Sequence, residues 1–447
     1  MVLDSYFPAE SEVVPDFARP NDERVGTWQM FVEKAYAKLY NGYANLDLGH
    51  ASVAFRELTG APAEYIDLHD QSDAWGALEK ALSKGYLITA SSKSQNLIKQ
   101  DALVRPMHCY SLLDIAVISY KNHPKRFVLL KNPTGDSANG NGKSYPKEIE
   151  TQLQQRLISK KIEDEEGLFW YAFEDLKTNF EVLQSCLLHD EYCNSSLEVK
   201  NPNGSKSKQF LFKAQAPKGT HGYITVNRKN IKHWTNDKQV VKNFKYGVQR
   251  IVVFEISEDS QIKILGNSFS AMQTATAEIN VNQPEFYIYV DNDYNTSLDY
   301  NFDCIISTYA EKPIHLINLE EQTQIIRNDK SKKLLKGLLL SFARSTKKPL
   351  LVQEFKSKKG DGVCQSWYGE MLGYVAFVYC NNSKNETFSV EYIPSDMKNV
   401  GFYHPFVNKN GNSLKVGPME VDTVMLKFGW ENNCSHVCNL KTKTLLN

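Results

Sequence analysis

From about residue 209 onward the chain is a succession of short apolar-alternating runs, cut at regular spacing by Gly, Asn, Asp and Pro. Gln209–Ala214, Gly222–Asn227, Arg250–Ile256, Gln261–Leu265, Thr274–Val281, Glu285–Val290, Cys304–Thr308 and Ile314–Leu319 each have strand length and period-two patterning. Such a series folds economically only as antiparallel sheets, so these residues predict a β-sandwich over 205–322. Pro349–Phe355, Tyr374–Cys380, Thr387–Ile393 and Val421–Phe428 repeat the pattern and predict a second sandwich over 349–447. The first 190 residues mix helical and strand periods. The expected class is therefore α+β to mostly β, with flanking helices confined to the N-terminal part.

At 447 residues the chain has room for roughly two to four cores. The 52 basic and 52 acidic side chains balance, so nothing draws the whole chain toward nucleic acid or an anionic membrane. No apolar run approaches the ~18 residues of a membrane span, and the first residues lack a charged-then-apolar leader. The eight cysteines have no framework spacing, as expected of reduced thiols in an intracellular, cytoplasmic protein.

Two segments join or end these regions. Across 323–348, Leu335, Leu338, Leu339 and Phe342 fall at helical spacing, among Lys330, Lys332, Lys333, Lys336, Arg344, Lys347 and Lys348. That predicts a basic helix, either a plain connector with a solvated face or a docking element for an acidic protein surface. Near the C-terminus Cys434, His436 and Cys438 alternate. Zinc requires a fourth ligand and these three lack the usual Cys-x2-Cys spacing, so they read as a strand end. Asp291, Asn292, Asp293 and Asp299 form too thin a cluster for calcium, which takes about six to eight oxygens. No metal and no cofactor is expected.

Chemistry concentrates at His108 and Asn132. His108 lies in Met107-His108-Cys109-Tyr110-Ser111; Asn132 follows the apolar run Phe127–Leu130, in Lys131-Asn132-Pro133-Thr134-Gly135. A His that takes a thiol proton and an Asn that fixes its ring are the activating pair of a papain-type site. Taken alone, the two read as a core His and a turn Asn.

The surroundings carry a resemblance. Glu33-Lys34-Ala35-Tyr36-Ala37-Lys38-Leu39 with Gly42-Tyr43, then Leu58-Thr59-Gly60, and later Gly167-Leu168-Phe169-Trp170 with Phe173, Asp175, Phe180 and Cys186, resemble the second protease subdomain of calpains over residues 1–190. The resemblance implies that His108 and Asn132 stand at the family's catalytic His and Asn. It also implies that a C2-like sandwich follows, so both β-sandwiches are read as C2-like.

The departures set the functional expectation. Calpains carry their nucleophile on an earlier subdomain, whereas the first cysteine here is Cys109, beside the His itself. On a strand, neighbouring side chains point to opposite faces, so Cys109 is not expected to reach the ring. The family's Gly before the His is Met107, its shielding Trp is Thr134, and its acidic calcium loop is replaced by the Asn-Gly turn chemistry of 136–143. The expectation is a calpain-like pseudoprotease, not an enzyme, in which His108 and Asn132 are vestigial. It would act as a protein-interaction or structural scaffold module. Calpain-like proteins of protists, some of them cytoskeletal or ciliary, supply the expected setting, with protein partners presenting an acidic surface. The alternative is a calcium-dependent cysteine endopeptidase half, completed in trans by a Cys-bearing subunit, or the remainder of a truncated gene.

Overall fold

The computed structural model describes residues 2–9, 15–18, 26–47, 49–68, 73–134, 144–163, 165–199, 207–233, 235–244, 246–258, 261–293, 303–317, 337–338, 341, 351–356, 362–371, 374–398, 400–402, 413–428 and 437–446. The described elements are mostly β, in antiparallel sheets with few helices. Contacts divide the chain into two compact units. Leu46–Tyr192 is one; Met1–Asn45 and Cys193–Asn447 form the other.

In Leu46–Tyr192 a six-stranded antiparallel sheet forms the frame. Its strands are β1 (Ala63–Asp67), β2 (Leu87–Ser92), β3 (Cys109–Tyr120), β4 (His123–Lys131), β5 (Leu168–Ala172) and β6 (Phe180–Cys186), in the order β1-β6-β2-β3-β4-β5. The helices of this unit are Ala51–Thr59, Ala74–Ser83, Lys147–Lys160 and Phe173–Asn179. Phe127, Val128, Leu129 and Leu130 are all buried, as a central strand covered on both faces requires.

β3 shows how local irregularity sets the two faces. Its even-numbered residues from Tyr110 to Ile118 are all buried, although the pairing register with β4 slips between Leu112 and Asp114. A slip of one residue exchanges the faces. Tyr110 therefore meets Phe169 on one side of the sheet, at 5.9 Å between ring centroids. Ala116 and Ile118 meet Phe127, Ile149 and Leu153 under the Lys147–Lys160 helix on the other side. Leu113 at the slip is left 45% exposed.

In the other unit the helix Trp28–Leu39 and the turn after it stay with the C-terminal residues: the Asn41 amide donates to the His233 carbonyl (2.8 Å). Two antiparallel sheets follow. One is five-stranded, from Ser207–Gln215, Gln249–Ile256, Ile262–Ser270, Glu285–Asp293 and His315–Ile317. The second is four-stranded, from Cys193–Val199, His221–Arg228, Thr274–Asn280 and Cys304–Ala310. Both sheets contribute to one core that includes Phe212, Ile224, Val253, Ile279, Phe286 and Ile306. A further pair of sheets spans Leu351–Lys356 to Val437–Leu446 and shares a smaller core around Phe377, Tyr379, Phe388 and Tyr392.

Several sequence readings fall outside the described residues. These are the 136–143 turn, nearly all of the basic helix at 323–348, Asp299, Cys434 and His436. No described helix is long and apolar enough to cross a membrane.

Candidate functional site

Antiparallel pairing brings the start of β3 beside the end of β4, and with them His108 and Asn132. The His108 Nε2 lies 2.9 Å from Asn132 Oδ1. The Thr134 backbone N–H, a donor only, also points at that oxygen (3.3 Å), and the Thr134 hydroxyl donates to it at 3.0 Å. An atom that accepts from an amide N–H is an oxygen, so the His108 contact must be Nε2–H donating. That assignment leaves Nδ1 as the unprotonated nitrogen, the one able to take a proton. Asn132 is fully buried and His108 half-buried.

The His108 backbone is held as firmly as its ring. Its N–H donates to the Ser92 hydroxyl (2.9 Å), the Ser92 N–H donates to its carbonyl (2.9 Å), and the Ser92 hydroxyl donates to the Arg105 carbonyl (2.6 Å). The ring packs edge-on against Tyr110, at 4.9 Å between centroids. Behind it the 93–107 segment is tied to the sheet. Asn179 donates to the Tyr171 hydroxyl (3.0 Å) and accepts from the Lys99 N–H (3.1 Å), while Tyr171 donates to the Ala102 carbonyl (3.0 Å). Burial pushes the Tyr171 and Tyr110 phenols up, so both stay neutral, Tyr171 donating to Ala102 and Tyr110 accepting from the Arg105 N–H (2.8 Å).

Cys109 is on the other side. His108 and Tyr110, two residues apart, share a face, and strand alternation sends the intervening Cys109 away from it. There the Ser91 hydroxyl points at its sulfur from 4.0 Å. Cys186 is buried, with its thiol pushed up by desolvation. Among the described residues, then, the pair can orient an imidazole and accept a proton at Nδ1, and Cys109 is not placed to supply that proton.

Met107 enters the site on left-handed backbone, with φ of 49° and 60% of its surface exposed. A side chain at that φ costs about 1–2 kcal/mol that glycine avoids. Met107→Gly removes little buried surface, and the larger entropy of the unfolded glycine chain offsets part of the gain. The variant should therefore be more stable by about 0.5–1 kcal/mol, read as a raised denaturation midpoint for the Leu46–Tyr192 unit. An unchanged or lowered midpoint would mean that the methionine side chain contributes more than its exposure suggests.

No described group of His, Cys, Asp and Glu side chains could hold a metal ion. The acidic pair Asp291 and Asp293 already has a cation. Arg250, fully buried, places Nη1 2.7 Å from Asp293 and 3.8 Å from the buried Asp291. Sequence reasoning located His108 and Asn132 but missed Ser92, Tyr171 and Asn179, whose roles depend on strands far apart in the chain.

Residues 1–187 match the family described as calpain family cysteine protease. Calpain clp-4 of Caenorhabditis elegans is 33% identical over 184 residues, which is 39% of this chain and 26% of that protein. Calpain-14 of Homo sapiens is 32% identical over 165 residues, 36% of this chain and 24% of that protein. The chain thus spans about a quarter of the length of the curated relatives it matches. Among solved structures, a putative uncharacterized protein from Burkholderia cenocepacia aligns with 56% of this chain and 81% of its own at 10% identity and a TM-score of 0.21, too loose to bear on the fold.

Proposed function

We propose a function from one premise, that residues 1–187 belong to the calpain family of cysteine proteases: the 447-residue chain is by itself a non-catalytic calpain-like protein that works by binding other proteins. The placement of Cys109 carries this reading. It is the one cysteine of residues 1–447 that precedes Asn132, and its thiol lies on the strand face opposite the His108 ring. A thiol that cannot approach the imidazole is not activated by it. The β-sheets after residue 193, read as C2-like sandwiches, would then serve as binding surfaces, with cytoskeletal or ciliary proteins as the partner class that the family resemblance implies.

A second reading draws support from the intact 2.9 Å bond between His108 and Asn132. In it, a Cys-bearing segment from another polypeptide completes a calcium-dependent endopeptidase.

Activity assays separate the two. The purified chain should cleave no casein with or without calcium, and an epoxysuccinyl thiol probe should label Cys109 no faster than a free surface thiol. Calcium-dependent cleavage that disappears in His108→Ala would overturn the non-catalytic reading. In extracts of the native cell, probe labelling of a different polypeptide that co-purifies with this chain would favour the second.

A further inference from the structure

The eight cysteines have no framework spacing in the sequence, yet the sheets bring two of them together. Strands Gly362–Met371 and Tyr374–Asn381 form an antiparallel hairpin whose register places Cys364 directly opposite Cys380. Pairing runs unbroken from Val363 opposite Asn381 to Tyr368 opposite Ala376, and the irregularity in this hairpin lies beyond, toward its turn. Among the described residues no other cysteine has a cysteine for its ladder partner.

Backbone pairing fixes the spacing of the two. The Asn381 N–H donates to the Glu420 carbonyl (2.9 Å), so Asn381 turns its backbone toward the strand Val421–Phe428. Cys380, one residue earlier, therefore turns its own toward Cys364, and the two form a hydrogen-bonded pair with Cα atoms about 5.5 Å apart. Disulfides join Cα atoms about 4.4–6.8 Å apart, so this pair can be linked without unpairing the strands. Phe377 and Tyr379 belong to the core around Phe388 and Tyr392. Alternation puts Cys380 on the other face of the sheet, where it is half-buried and carries a reduced thiol. Directly opposed residues have Cβ atoms about 4.5–5.5 Å apart, whereas a disulfide holds them at about 3.5–4.5 Å. Closing the bond must draw the strands together at this point, and a bond under such load is reduced more readily. The position suits a link that opens and closes, not a permanent staple.

We propose that Cys364 and Cys380 are a redox modification site, forming a reversible cross-strand disulfide when the chain meets a hydroperoxide. The Cys380 thiolate attacks one peroxide oxygen and becomes a sulfenic acid; the other oxygen leaves as hydroxide and takes up the thiol proton to give water. The Cys364 thiolate then attacks the sulfenic sulfur. The S–S bond forms as the S–O bond breaks, and the departing hydroxide takes up the second thiol proton to give a second water. Two thiols lose two electrons and two protons in all, and hydrogen peroxide is reduced to two waters. A thiol reductant reopens the link by exchange.

The test treats the full chain with hydrogen peroxide, isolates the monomer, alkylates the remaining thiols and cleaves after glutamate for mass spectrometry. Glu354, Glu370 and Glu386 flank the two cysteines, so cleavage releases 355–370 and 371–386 as separate peptides. These two should appear joined, lighter than their sum by two hydrogens, and reduced glutathione should separate them. No other cysteine pair should link to a comparable extent. Cys364→Ser combined with Ser366→Cys is a nearly isosteric exchange that moves one thiol two residues along the strand. Its new position is a diagonal neighbour roughly 7–8 Å from Cys380. That span exceeds what a disulfide bridges, so linking should be at least about tenfold slower. The proposal is overturned if Cys364 and Cys380 stay alkylatable under peroxide, or oxidise to sulfinic acids without linking. It is equally overturned if the shifted variant links as fast as the native chain, because linking would then report an opened sheet, or if glutathione leaves the peptides joined. None of these readouts depends on protease activity, so they stand or fall apart from the non-catalytic reading.

Discussion

Replacing Arg250 by alanine should destabilise the Ser207–Ile317 sheets by about 3–5 kcal/mol, the usual cost of leaving a buried carboxylate, here Asp291, without its cation. Arg250 and Asp291 are both fully buried, and Asp293 sits 2.7 Å from the guanidinium on the same strand as Asp291. The pairing register holds Arg250 directly opposite Asp291. Without the guanidinium one acid must be buried charged or take up a proton, and either state costs free energy that the unfolded chain does not pay. Hydrogen exchange in peptides covering Gln249–Ile256 and Glu285–Asp293 is the suitable readout, because the chain has several cores and no single unfolding transition. Protection in those peptides should fall by at least a hundredfold. Arg250→Met combined with Asp291→Leu removes charge from both sides and should recover much of it. Unchanged protection in Arg250→Ala would show that the carboxylates are satisfied by something other than the arginine.

The second large effect is expected at Asn179→Ala. The Asn179 side chain is fully buried, donates to Tyr171 Oη and to the Asp175 carbonyl (3.0 Å each), and accepts from the Lys99 N–H. Losing a buried group that satisfies three others should cost about 2–4 kcal/mol. The loss should be local in its structural consequence: the 93–107 segment is released from the sheet, and that segment leads into His108. Limited proteolysis should then cut within 93–107 at a rate well above wild type, while the cores of the β-sheets after residue 193 stay resistant. Cleavage elsewhere, with 93–107 intact, would mean that Ser92, Tyr110 and Tyr171 are enough to hold the segment.

Most strands with alternating apolar and polar residues were legible in the sequence to within about three residues, whereas Gln261–Leu265 and Thr387–Ile393 stop well short of the observed ends at Ser270 and Lys398. Thr274–Val281 against the observed Thr274–Asn280, and Val421–Phe428 matched at both ends, are examples of the close matches. Cys193–Val199 was missed because Asn194, Ser195 and Ser196 give it little apolar content. It is an edge strand, held by backbone pairing with Cys304–Ala310 more than by burial. Of Val437–Leu446 only a strand end near Cys438 was read, because the Lys441-Thr442-Lys443-Thr444 run that follows holds no apolar residue. Helix and strand periods cannot reveal a register slip such as the one at Leu113, which depends on what β4 offers opposite. At the site, the resemblance pointed to His108 and Asn132, and the structure brings them within hydrogen-bond distance. Thr134 was read only as a lost indole. That its hydroxyl and N–H both donate to Asn132 Oδ1, fixing which His108 nitrogen carries the proton, follows from turn geometry that spacing alone does not specify.

The strand order β1-β6-β2-β3-β4-β5 has a consequence for how the Leu46–Tyr192 unit comes into being on the ribosome. β3 and β4 are joined by a two-residue turn at Lys121-Asn122, both on left-handed backbone, so this hairpin can close as soon as it emerges. His108 and Asn132 flank that hairpin and can meet early. β2 can pair with β3 directly, but β1 cannot join the sheet until Phe180–Cys186 has been made, because that last strand lies between β1 and β2. Some fifty residues of synthesis lie between the end of the hairpin and its closing strand, several seconds at about 5–20 residues per second. During that interval the inner edge of β2 is open. A nascent chain stalled before residue 180 would present an ordered His–Asn pair on a sheet whose edge is still a template for foreign strands.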